Sequence, residues 1–126
     1  MGLDMYLNKK EKTPMSNGAC REVEYAYWRK FNALHLWFVH NVQGDVDDCG
    51  DYSVTKEHLE SLLDTLRRIN DDTANELFPT GRGFFFGSTD YDEWYFQDVK
   101  ETIDLFERTL LEFDFDEEEL WYHSSW

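Results

Sequence analysis

Two kinds of residue in this 126-residue chain have the types and spacing for chemistry. One is a set of soft metal ligands around an acidic loop. The other is a series of carboxylates interleaved with aromatic rings near the C-terminus. The loop, residues 43–53, reads QGDVDDCGDYS. Set against the calcium-loop pattern D-x-[DN]-x-[DN]-G-x5-E, Asp45, Asp47, Gly50 and Ser53 match positions one, three, six and nine. Cys49 stands at position five and Lys56 at position twelve. The twelfth position must supply a bidentate carboxylate, and an ammonium there repels the ion. Glu57 comes one residue late. A solvated acidic loop is the plainer description.

Cys49 points instead to a softer ion, because thiolate and imidazole ligands suit zinc. His35 falls on the apolar side of a helical stretch and faces inward. His40, five residues later, is turned about 140° around that helix, so the two histidines do not easily share an ion. A zinc site therefore needs His35, Cys49 from the returning loop, and further ligands. Asp4, in a first strand, and Cys20, just before the helix, are the other inward candidates. No C-x2-C spacing reinforces them. A lone inward histidine also serves as a hydrogen-bonded core residue, and a lone cysteine as a small buried apolar one.

Catalytic signatures are sparser. The sequence has no G-x-S-x-G and no P-loop. Gly81-Arg82-Gly83 reads as a turn. His35 and Cys49 are the types of a base and a nucleophile but carry no local signature. The expectation is a protein that is not an enzyme, with no residue assigned a catalytic role.

The segments DEWYF and DFDEEELWY mix acids with aromatics. Tyr and Trp are frequent binding hot spots, and surrounding acids select a basic partner. Asp92, Glu93, Asp114, Asp116, Glu117, Glu118 and Glu119 are the candidate partner-binding residues. The alternative is a solvated helix start and tail with rings anchored inward. Dense carboxylates can also stand in for phosphates in a groove built for nucleic acid.

These residues need elements to position them. Leu3–Leu7 alternates weakly, as a short strand does, and residues 9–18 form a polar loop. Tyr27, Phe31, Leu34, Phe38 and Val42 recur at helical spacing and predict a long helix over Arg21–Val42. Thr55 is placed to cap a second helix, Lys56 to about Asn70, with Leu59, Leu62, Leu63 and Leu66 on one face. A break follows, with one more helical turn before Phe78, and Phe84-Phe85-Phe86 reads as a strand. Thr89 with Asp92, and Asp90 with Glu93, fit the capping-box spacing for a third helix running to about Glu112. Its inner stripe is Phe96, Val99, Ile103, Phe106 and Leu110. The expected fold is α+β: one domain over residues 1–126, about three helices on a small sheet, with 113–126 an acidic–aromatic tail.

Composition bounds the partners. Net charge is -15, from 27 Asp+Glu against 12 Lys+Arg. Broad phosphate neutralisation on nucleic acid needs clustered basic residues, and anionic membranes attract the same. Neither partner suits this chain, and no apolar run is long enough to span a bilayer. Aromatics make up 17% of the residues, which marks a folded rather than a disordered acidic chain. The N-terminus lacks an apolar signal core, so a cytoplasmic location is expected. Two cysteines are too few for a disulfide scaffold. The charge is uneven: residues 1–43 carry +2, residues 44–87 carry -6, and residues 88–126 carry -11.

Three segments taken together carry a resemblance: MGLDMYL, YWRKFNALHLWFVHNVQ and GFFFGSTDYDEWYFQDV. They resemble a family of small proteins from phages, prophages and bacteria. The chain is also similar to zinc-containing type II-A anti-CRISPR proteins. The resemblance implies non-enzymatic binding to a Cas9 effector, denial of its target DNA, and action in the cytoplasm of the infected host. It also implies a structural zinc with His35 and Cys49 as leading ligands, while Asp4 and Cys20 stay geometric candidates. A metal-dependent enzyme and a regulatory domain without Cas9 binding are the rival expectations. Monomer and homodimer are both left open.

Overall fold

The computed structural model describes residues 2–12, 22–81 and 89–126. Cys20, the strand expected at Phe84–Phe86 and residues 13–18 of the expected polar loop lie outside these. The described elements are β1 (Asp4–Glu11), β2 (Glu22–Arg29), α1 (Asn32–Asn41), β3 (Asp51–Val54), α2 (Lys56–Arg67), α3 (Ala74–Leu77), α4 (Glu93–Glu112) and β4 (Glu118–Ser125). The four strands form one antiparallel sheet in the order β2-β1-β4-β3. The architecture is α+β, with helices packed on one sheet face.

Strand alternation decides which face that is. Leu3, Met5 and Leu7 near or within β1, and Leu120 and Tyr122 in β4, are all 0% exposed. They join Leu34 and Phe38 of α1, the leucine face of α2, and Val99 and Phe106 of α4 in one core. Phe38 stacks on Tyr122 with ring centroids 4.1 Å apart and planes 17° from parallel. The other sheet face carries Asp4, Tyr6, Asn8 and Lys10 from β1, with their cross-strand partners.

Helix α2 forms as its sequence predicts. Thr55 caps it, its Oγ1 accepting from the His58 amide at 3.1 Å. Leu59, Leu62, Leu63 and Leu66 are buried. For α4, Asp92 alone supplies the cap, its carboxylate accepting from the Tyr95 amide at 3.1 Å.

Two expectations are corrected. The long helix over Arg21–Val42 is instead β2, a turn and α1. EVEYAYWR is rich in aromatic residues, and its exposure largely alternates from residue to residue, which suits a half-buried strand. Lys30, at φ 58°, then turns the chain, and its amide bonds the Leu3 carbonyl at 2.7 Å. A bulge sits between the pairs Leu7–Ala26 and Asn8–Glu24. The second concerns the polar loop expected over residues 9–18: β1 runs on through Glu11, so residues 9–11 belong to the sheet. In the tail, Glu118–Ser125 is β4, an inner strand of the sheet paired to both β1 and β3.

Candidate functional site

α1 and β4 bring one inward histidine against one inward tyrosine. His35 is 0% exposed, and both its ring nitrogens have partners. Nδ1 lies 2.6 Å from the Tyr122 hydroxyl and Nε2 lies 3.0 Å from Asp47 Oδ1. A carboxylate oxygen accepts, so Nε2 carries the hydrogen; Nδ1 of the neutral ring then accepts from Tyr122. Trp126 Nε1 donates to the same Asp47 oxygen at 3.0 Å. The chain Tyr122–His35–Asp47–Trp126 thus ties β4 and the C-terminal residue to α1 and the acidic loop.

Burial sets the protonation of this chain. It pushes the Tyr122 hydroxyl well above its ordinary value of 10, with Asp47 and Cys49 adding to the rise. It also lowers the His35 pKa below 6.5, although the Asp47 carboxylate works in the opposite direction. The sign of the pH dependence follows. An unfolded chain protonates this imidazole below about 6.5, whereas the folded chain resists. Stability is therefore full above that value and is lost as pH falls through the range beneath it. Urea midpoints should fall from pH 7 to roughly pH 5, and fall less in His35→Gln. Equal falls in both proteins would contradict the assignment.

Of the predicted metal ligands, Asp4 is placed apart from His35. Asp4 lies on the sheet face away from His35, where its carboxylate accepts from Tyr27 at 2.5 Å and pairs with Arg29 at 3.3 Å. Cys20 lies outside the described residues. Cys49 sits in the loop at φ 58°, close enough to influence Tyr122. Among the described residues no group of three or more histidine, cysteine, aspartate or glutamate side chains can hold a metal. Both His35 nitrogens are engaged by Tyr122 and Asp47.

The calcium-loop geometry also fails to form. β3 intervenes between the loop and α2. Each carboxylate turns to a different partner: Asp45 to His40 at 2.7 Å, Asp47 to His35, and Asp48 to the Tyr52 hydroxyl and the Gly50 amide. The Asp48 pKa is lowered by those last two hydrogen bonds.

The candidate partner-binding acids fall into two clusters at opposite ends of α4. This 20-residue helix is about 30 Å long. At its start, Asp92 is the cap and Glu93 is exposed. Asp92 borders a cleft of about 280 Å³ lined also by Lys30, Asp90, Trp94 and Asp98. Burial raises the Asp98 pKa, with Glu101 and Asp92 adding to it. At its end, the Asp114 carboxylate accepts from the amides of Asp116 and Glu117 and shapes the turn into β4. Asp116 and Glu117 are exposed, Glu118 pairs with Lys9 at 3.6 Å, and Glu119 begins the outward-facing row of β4.

Sequence reasoning did not single out the outer sheet face. There Tyr27, Tyr6, His123 and Asp51 stand in one cross-strand row. The Tyr6 ring lies 5.2 Å from Tyr27 and 6.0 Å from His123. His123 Nδ1 is 3.3 Å from Asp51, an ion-pair distance without hydrogen-bond alignment. Elsewhere on this face, the Lys10 ammonium lies 4.5 Å from the Trp121 ring centroid. The signal was the two-residue period from Leu120 to Ser124, half hidden behind the acids before it. Comparison with protein-family models, curated proteins and solved structures found no match for this chain.

Proposed function

We propose that this protein acts by binding. It is a non-enzymatic inhibitor whose acidic surface occupies a basic, nucleic-acid-binding region of a Cas9-type effector and keeps target DNA out. The observation that carries this is the outward stripe of α4. Glu93, Glu101, Asp104 and Glu112 are exposed along it, and two large apolar side chains share the same side: Trp94, 71% exposed, and Leu111, 87% exposed. Lys100 and Arg108 interrupt the stripe without reversing its sign.

A stable helix holds these carboxylates in fixed positions, so little ordering is needed on binding. A field of one sign steers a basic partner and repels nucleic acid. The exposed apolar side chains suit contact points that water leaves on association. Among the described residues no helix is long and apolar enough to cross a membrane. The mechanism needs no metal, because negative charge and contact area do the work.

The test is binding to a type II-A Cas9 with and without guide RNA, at low and high salt. A complex that weakens as salt rises is expected. No complex in either state would end the proposal.

A further inference from the structure

We infer that the outer face of the sheet is a docking surface for an arginine-bearing basic segment of a protein partner. The helices cover the opposite face, where all the fully buried strand residues point. The outer face presents rings instead. Tyr27 is 46% exposed, and Tyr6 and His123 continue its row as half-buried neighbours.

Charge selects the occupant. Strand pairing puts five carboxylates on this face: Asp4, Glu22, Glu24, Asp51 and Glu119. Among the described strand residues two cations oppose them, and both are already engaged: Arg29 with Asp4 at 3.3 Å, and Lys10 with Glu22 at 3.8 Å. The surplus is negative, which disfavours a phosphate backbone. Lys10 over Trp121 shows that a ring on this face takes a cation. A guanidinium is planar, stacks on aromatic faces and forks to carboxylates, so it matches this mixture of rings and acids better than an ammonium does.

The inference rests on the binding proposal only for which protein supplies the segment. The division of labour between the two surfaces is specific. The α4 stripe sets how fast the partner arrives, whereas aromatic anchors set how slowly it leaves.

The probe is a synthetic octa-arginine peptide, compared with octa-lysine and with a single-stranded oligouridylate, at about 150 mM salt. Affinity is measured for wild type, Tyr27→Ser and Tyr27→Phe. Tyr27 is exposed, so the variants should fold, and unchanged circular dichroism verifies it; Trp121→Phe serves as a second variant on the same face. The expected result is tighter binding of octa-arginine than of octa-lysine and no binding of the oligonucleotide. Tyr27→Ser should weaken octa-arginine at least fivefold, and Tyr27→Phe, which keeps the ring, should not. A smaller effect of Tyr27→Ser, or capture of the oligonucleotide in place of the peptide, overturns the inference. Peptide binding without a Cas9 complex would overturn only the choice of partner. A Cas9 complex indifferent to Tyr27→Ser would overturn only the sheet-face inference.

Discussion

His35→Ala is expected to lower folding stability by about 3–5 kcal/mol. Three losses combine. The imidazole is fully buried, so its removal leaves a cavity. The Tyr122 hydroxyl loses its partner in a site with 0% exposure, and a buried orphan costs about 1–3 kcal/mol. Asp47 keeps only Trp126 of the two side-chain donors named here. Because domains are stable by only about 5–15 kcal/mol, this removes a large share. Tyr122→Phe keeps the ring stacked on Phe38 and should cost about 1–2 kcal/mol through the unsatisfied Nδ1. Urea unfolding of both variants measures the difference. A His35→Ala loss below that of Tyr122→Phe would remove His35 from the centre of the network. Metal analysis of the same preparations adds a second readout. If zinc is absent from wild type, the cost belongs to hydrogen bonds and packing alone.

The second large effect concerns association. Reversing Glu93, Glu101, Asp104 and Glu112 to lysine should slow binding to the effector by about 10- to 100-fold at low salt. The dissociation rate should change far less, because exposed charges act mainly on encounter. Raising salt should shrink the difference, since screening acts over roughly 10 Å at 0.1 M. All four side chains are exposed, so the fold should tolerate the change. Stopped-flow or surface-plasmon kinetics reads both rates. An unchanged on-rate would move the contact away from α4. Reversing Asp116, Glu117 and Glu119 in the same way separates the other end of the helix.

The parts of the fold legible in the sequence share one property: a single rule governs them. α2 has a capping threonine and four leucines on one face, and every one of them behaves accordingly. α4 is subtler. Its buried line includes Tyr95, Thr102 and Thr109 beside Val99 and Phe106, whereas apolar spacing favours Phe96, Ile103 and Leu110. The polar members are admissible inside because each meets a partner: Tyr95 donates to the Phe78 carbonyl at 2.7 Å, Thr102 accepts from Trp28 at 3.2 Å, and Thr109 meets Tyr25 at 2.8 Å. Those partners come from distant chain segments, so spacing alone does not show them.

β2 was hidden for a different reason. Tyr27 and Phe31 sit four residues apart by coincidence; Tyr27 faces solvent on the sheet, while Phe31 enters the core beyond the Lys30 turn. The candidate site divides along the same line. His35 as an inward residue was legible from its helical position. Its partners were not, because Tyr122 lies 87 residues away and reaches His35 only once the tail has become an inner strand. Asp4, counted among the inward residues, alternates to the outer face and helps build the aromatic surface instead.

The central claim is that this acidic protein displaces target DNA by occupying its protein partner. The most direct measurement titrates it into guide-loaded type II-A Cas9 and follows binding of labelled target DNA. DNA binding should fall in step with formation of the protein complex and vanish at saturation. Full DNA binding at saturating protein, or no complex at all, would contradict the account.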